Sequence, residues 1–261
     1  TKAGAYAVLA RAALYAGSVD PSLYATADSA AKWVIANSGA TPVGASGFVS
    51  SYVTDNASNS IFELAFSGTD SRGINGIAYI LRGTSYGDVR ILTGDGANPD
   101  LLDIYDTDDV RGGSDMIGTA QGYPTMLGKF PTMNGEDNVT IFRIEEMHLI
   151  AAETSLRAGN AADALTYLNN IPAIRGLGAG YYASATMDNI LLERRKEFAF
   201  EGLRFYDLSR MGMDMPLIDS FKQLNDDLTG TPPTYGSYRY AYPIALAERN
   251  ANPNMVQIYG Y

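Results

Sequence analysis

Apolar positions recur at helical spacing in two places along the chain. In "AYAVLARAALYAGSVDPSLYATADSAAKWVI", Ala7, Ala10 and Leu14 share one face up to a stop at Gly17. After the turn-forming "DPS" the face resumes with Leu23, Ala27, Ala30 and Val34. The second place is "IFRIEEMHLIAAETSLRAGNAADALTYLNNI", with Gly159 as the stop, Asn160 as the next N-cap, and Ala161, Ala164, Leu165 and Leu168 as the packing face. The two segments match: Ala10, Ala13, Leu14, Ala16 and Gly17 correspond to Ala152, Ser155, Leu156, Ala158 and Gly159. Small inner residues let helix axes approach closely, which predicts two helical hairpins of the tetratricopeptide kind. They lie much further apart in sequence than the roughly 34-residue period of a tandem array.

A third helical pattern runs from Leu191 to Gly212, "LLERRKEFAFEGLRFYDLSRMG". Leu191, Phe198, Gly202, Phe205 and Tyr206 form one broad apolar face, Glu193, Glu197 and Arg204 lie opposite, and Arg194 and Glu201 share the flank. The pattern predicts one amphipathic helix with a salt-bridged border. In it Arg194 and Glu201 are a partly buried pair, and Gly202 marks the close approach of a neighbouring helix. Carboxylates at positions 197 and 201, flanked by so many cations, should have lowered, similar pKa values, which is a poor arrangement for an acid and base pair.

Residues 39–135 are rich in Gly, Ser, Asp, Asn and Pro, with brief strand-like pieces "GFVSSYV", "IFELAF" and "VRILTG". The fold class read from this is mainly α: tetratricopeptide-like helical hairpins with a large irregular loop insertion and little β. The chain, 1–261, is taken as one domain. It has a hairpin at 1–38, the insertion at 39–135, the second hairpin and motif helix at 136–212, and an irregular segment at 213–261.

Composition narrows the function classes. A net charge of −10 leaves no basic stripe for nucleic acid. The absence of cysteine removes disulfides, thiolate metal sites and cysteine nucleophiles. Tyrosine is over-used, 18 against 9 Phe and 1 Trp, and a ring with a polar tip suits a wet contact surface. The aspartate-rich "TGDGANPDLLDIYDTDDVRGGSD" fails the spacing of a calcium loop, so no metal site is assigned. His148, the single histidine, lies mid-helix and reads as a packed imidazole. A glycoside hydrolase would need two distinguishable carboxylates, whereas Asp95, Asp103, Asp106, Asp108 and Asp109 offer numbers without a pair. No catalytic residue and no cofactor are therefore assigned. Sugars call for displayed aromatic faces with polar rims, and Tyr86, Tyr105 and Tyr123, with Asp88, Asn98 and Asp103 nearby, sit in loops suited to displaying them. Tyr235, Tyr238, Tyr240 and Tyr242 form the next densest group.

In combination these stretches resemble the SusD/RagB family of outer-membrane nutrient-binding lipoproteins. The resemblance rests on "ERRKEFAFEGLRFYDLSRMG", on "RIEEMHLIAAETSLRAGNAADALTYLNNIPAIRG" with its arginine loop, and on "YDTDDVRGG". It extends to the closing "YPIALAERNANPNMVQIYGY" and the opening "KAGAYAVLARAALYAG". The resemblance implies binding of an oligosaccharide at the cell surface and its delivery to a TonB-dependent SusC-like transporter. It also implies localisation at the outer membrane through a lipid anchor on an N-terminal part that precedes Thr1 in family members. A hydrolase using the loop carboxylates and a protein-binding helical scaffold remain as alternatives. Under the family reading, Arg194, Glu197, Glu201 and Arg204 are structural.

Overall fold

The computed structural model describes residues 1–82, 90–94, 98–133, 135–224 and 231–261. These fall into two compact units, Thr1–Ile91 with Leu101–Arg204, and Leu92–Asp100 with Phe205–Tyr261.

The larger unit opens with helix α1 (Lys2–Ala16), capped where the Thr1 hydroxyl accepts from the Gly4 amide at 3.0 Å. Helix α2 (Leu23–Asn37) packs back on it. Ala7, Ala10, Ala13 and Leu14 join Ala27, Ala30, Ala31 and Val34 in one buried cluster, so the small residues serve the close contact their spacing predicts. The chain then passes through α3 (Ala45–Phe48), strand β1 (Ser60–Leu64), α4 (Ile77–Arg82), strands β2 (Ile117–Ala120) and β3 (Tyr123–Met126), and β4 (Val139–Arg143). Next come α5 (Ile144–Arg157), α6 (Ala161–Pro172) and α7 (Met187–Glu197). Helix α2 packs on α5 and α5 on α6, so the two hairpins are neighbours in space despite the insertion between them. α5 is buried from Ile144 to Ser155, as suits a helix enclosed by its neighbours. Arg11 ties the stack together, donating to Glu146 at 2.7 Å and to the Ile141 carbonyl at 2.6 Å, while Thr154 donates to Asp28 at 2.8 Å.

Sheet is sparse. β1 and β4 pair antiparallel, with Leu64 opposite Val139, so the two ends of the insertion lie side by side. β2 and β3 form a hairpin whose turn residues Gln121 and Gly122 both take positive φ, 52° and 82°, matching the twist of the strands. Of the strand-like pieces, "IFEL" is β1. "GFVSSYV" instead continues α3 into a 3-10 turn at Ser50–Tyr52, because Phe48 is drawn into the core as a helical side chain. No strand forms among residues 90–94.

The continuous helix expected from Leu191 to Gly212 is broken. α7 ends at Glu197, Phe200 and Gly202 take left-handed φ of 64° and 77°, and α8 (Arg204–Arg210) starts afresh. Gly202 supplies left-handed backbone rather than close helix approach, since a Cβ there would meet nothing within 4 Å. Leu191 and Phe198 are buried as expected, but Glu193 and Glu197, expected on the opposite side, are fully buried as well. The smaller unit carries most of α8, then α9 (Ser220–Leu224), α10 (Leu246–Ala251) and irregular chain. No described helix is long and apolar enough to cross a membrane.

Candidate functional site

The burial of the α7 carboxylates has a chemical cause, because cations from distant parts of the chain reach them. Arg111 arrives from a turn in the insertion, Arg143 from the end of β4, and Arg175 from the wide turn Ala173–Leu177 that leaves α6. Glu197 receives all three. Its Oε1 accepts from Arg143 at 2.8 Å and Arg175 at 2.7 Å, and its Oε2 from Arg175 at 2.9 Å and Arg111 at 3.1 Å. The remaining donors are also used. Arg175 Nη2 reaches Glu145 at 2.9 Å and its Nη1 the Val43 carbonyl at 2.5 Å, while its guanidinium lies 4.2 Å from the Phe48 ring centre. Arg111 grips Asp109 with two bonds of 2.8 and 2.7 Å and donates to Glu193 at 2.5 Å. Arg143 and Lys129 both hold Glu201 Oε1, at 2.8 and 2.6 Å, and Lys129 also donates to the Glu197 carbonyl at 2.7 Å.

Desolvating so many charges is tolerable only when each is multiply paired. Burial by itself pushes the Glu197 carboxyl upward, but Arg175, Arg143 and Arg111 outweigh it and hold the group well below the usual carboxylate range. Glu201 follows the same logic: burial raises it, Arg143 and Lys129 win, and the result is lowered. Glu193 goes the other way, since burial exceeds the pull of Arg111 and leaves its carboxyl raised. Burial likewise pushes the Lys129 ammonium down against the pull of Glu201. Around Glu193 and Glu197 the cluster is closed to solvent and multiply paired, which fastens the insertion to the helices, whereas Glu201 keeps some exposure and borders a cavity with Tyr52 and Lys129. Glu201 takes Lys129 and Arg143 as partners in place of the expected Arg194. Arg194 is buried, its guanidinium 5.4 Å from the Phe198 ring centre, and Arg204 is half-buried at the start of α8.

The residues expected to meet a ligand are scattered. Tyr86 and Asp88 lie outside the described residues, as does Asp95. Tyr105 turns inward, contrary to the display expected of it: its hydroxyl donates to the Lys196 carbonyl at 2.8 Å, and its side chain sits against Gly112 so tightly that a Cβ there would clash. The Gly112 contact is what lets the loop bury the ring. Asn98, in the smaller unit, uses its amide on the Leu217 carbonyl at 3.1 Å. Asp103 is exposed in a turn. Tyr123 is displayed: it stands at the head of β3, 40% exposed, with the Arg90 guanidinium 3.5 Å from its ring centre.

Two of the loop aspartates are already committed, Asp109 to Arg111 and Asp106 to Tyr181 at 2.5 Å and Lys196 at 3.2 Å. Among the described residues no group of His, Asp or Glu is arranged to hold a metal ion. His148 is packed, its Nδ1 3.3 Å from the Asn170 amide, and burial lowers its pKa. Sequence reasoning missed the buried roles of Asp109, Arg111, Lys129, Arg143, Glu145 and Arg175. The one available signal was single arginines beside acids or glycines in "DDVRGG", "FRIEE" and "AIRG".

A stack of helical hairpins to which a loop-rich insertion is fastened by buried ion pairs defines a scaffold that presents loops. The chain belongs to the SusD family, whose sequence profile matches residues 97–261. It is 29% identical over 142 residues to the starch-binding protein SusD of Bacteroides thetaiotaomicron, a stretch covering 54% of this chain and 24% of that protein. It is 28% identical over 137 residues to SusD-like protein P25 of Formosa agariphila, covering 49% and 25%. A solved SusD superfamily protein from B. thetaiotaomicron superposes with a TM-score of 0.77 at 28% identity, over 98% of this chain and 60% of that one. The matched stretches thus amount to about a quarter of each curated relative's length.

Proposed function

We propose that the protein binds an oligosaccharide at the cell surface, on aromatic side chains displayed by the insertion, and passes it to a TonB-dependent SusC-like transporter in the outer membrane. In this reading it is held at the membrane by a lipid anchor and performs no catalysis. The observation that carries the reading is the similarity to the starch-binding protein SusD, which spans more than half of this chain. Tyr123 gives it a physical basis: a partly exposed ring at the head of a β-hairpin, with Arg90 stacked on one side, presents an apolar surface beside a guanidinium. Tyr86, Asp88 and Asp103 stay in the candidate set with Tyr123, whereas Tyr105 and Asn98 are engaged by the Lys196 and Leu217 carbonyls. The insertion's attachment to the helices limits the ordering cost of binding, because displayed side chains on a fixed base lose less freedom than those of a loose loop.

Calorimetry with maltoheptaose tests the reading, followed by other neutral oligosaccharides if that sugar gives no heat. Tyr123→Ala is expected to weaken binding roughly three- to tenfold, the range of a stacking contact. Binding unaffected by Tyr123→Ala and by Tyr86→Ala would remove the insertion as the contact surface.

A further inference from the structure

The smaller unit holds two groups of tyrosines in fixed, open positions. Phe205 stacks on Tyr240, centroids 5.5 Å apart and planes at 27°, and Tyr235 meets Tyr240 edge-on at 5.7 Å. The Tyr240 hydroxyl donates to the Met213 carbonyl at 2.5 Å, and the other side of Tyr235 borders Gly212, φ 67°. In the second group Tyr238 meets Tyr261 edge-on at 5.0 Å. Tyr238 lies so close to Gly260, φ 109°, that a Cβ there would enter its ring. Backbone and neighbouring rings therefore brace Tyr235 and Tyr238, which stay 53% and 40% exposed. Braced, half-exposed rings are ready for stacking at little entropic cost.

The surrounding chemistry selects the ligand. Residues 231–261 carry Arg239, Arg249 and Glu248 as their only charged side chains, and the Asp214 carboxylate joins them in space by accepting from the Tyr235 amide at 2.8 Å, so opposite charges balance here. A polyanion would require an excess of cations, and a strongly charged protein face an excess of the opposite charge; the balanced charges supply neither excess. Flat rings without an excess of either charge fit the C–H faces of an uncharged sugar.

We propose that the Tyr235 and Tyr238 face of the smaller unit is a second contact surface for a neutral oligosaccharide, separate in its residues from the Tyr123 region. This rests on the glycan-binding reading above and adds a surface to it. Affinity electrophoresis through gels containing soluble starch, laminarin, galactomannan or arabinoxylan tests it, using the full chain, Tyr123→Ala, and the double variant Tyr235→Ala/Tyr238→Ala. Tyr238→Leu, which keeps bulk and loses the flat ring, serves if the double variant does not fold as judged by circular dichroism. In a gel that retards the parent, the double variant is expected to lose at least fivefold in apparent affinity, and Tyr238→Leu at least threefold. Parent-like retardation of these variants alongside weakening by Tyr123→Ala would overturn the second surface and leave the general reading standing. No retardation of the parent in any gel would overturn both. If sedimentation showed that the double variant abolishes self-association while retardation is unchanged, the face would be an interface between copies of the chain and the proposal would fall.

Discussion

Arg175 and Glu197 meet in a two-pronged pair, Nε to Oε2 at 2.9 Å and Nη2 to Oε1 at 2.7 Å, with neither side chain exposed to solvent. The pair joins the turn after α6 to the last residue of α7. Glu197 also accepts from Arg111 and Arg143, so three separate stretches of chain converge on one carboxylate, and Arg175 in turn holds the Val43 carbonyl.

Removing that carboxylate should strip the compensation from buried arginines. Glu197→Gln is expected to cost about 3–5 kcal/mol, the range for breaking a buried pair. At about 2–4 °C per kcal/mol for a chain of this size, the melting temperature should fall by about 10 °C. Differential scanning calorimetry checks this, and a melt matching the parent would mean that the pairing is energetically slack.

Acid should act through the same groups. The folded-state pKa values of Glu197 and Glu201 are depressed, so their stabilisation is present above the unfolded-state value of about 4.3 and is lost as pH falls through the folded values. Glu193 is raised, so its contribution has the opposite sign: full below the unfolded value and lost as pH rises through the folded one. Urea midpoints measured from pH 7 down to 3 should therefore drop below about pH 4.3. The drop should be shallower in Glu197→Gln than in the parent and no shallower in Glu193→Gln.

The helical hairpins were legible because burial there follows a single periodicity: Ala7, Ala10 and Leu14 face Ala27, Ala30 and Val34, as their spacing requires. The motif at Leu191–Gly212 was misread because a helical wheel assigns charge to the solvent side. Glu193 and Glu197 face inward only because Arg111, Arg143 and Arg175 come from elsewhere to neutralise them, and no local pattern contains that information. The break at Phe200 escaped notice for a related reason: its left-handed backbone is a cost that only tertiary contacts can offset. In the candidate ligand set, Tyr105 and Tyr123 look alike in sequence, yet one hydroxyl is spent on the Lys196 carbonyl and the other ring is displayed.

Gly176 sets the path of the turn that delivers Arg175. It has φ 100°, and a Cβ would strike the Asp108 carbonyl oxygen, so Gly176→Ala combines backbone strain with a clash. It should cost about 1–3 kcal/mol or more. Gly180→Ala, at φ 74° with nothing nearby, should cost about 1 kcal/mol and is the matched control. Equal losses from the two, compared by urea titration, would show that the Asp108 contact is unimportant.

Tyr105 separates structure from binding. Tyr105→Phe removes the bond to Lys196 and leaves the ring, so about 0.5–1.5 kcal/mol of stability should go. Oligosaccharide affinity should change less than in Tyr123→Ala, as titration calorimetry on the two folded variants would reveal. A larger binding loss in Tyr105→Phe would mean that its hydroxyl meets the sugar.

In the function proposed, the carboxylates of the motif hold the fold while the protein binds sugar without cleaving it. The most direct measurement is the release of reducing ends from a polysaccharide that demonstrably retards the parent protein in a gel. Retardation is expected with reducing ends no higher than in buffer after prolonged incubation. Release by the parent that disappears in a folded Glu193→Gln, Glu197→Gln or Glu201→Gln variant would contradict it, because the buried carboxylates would then be doing chemistry.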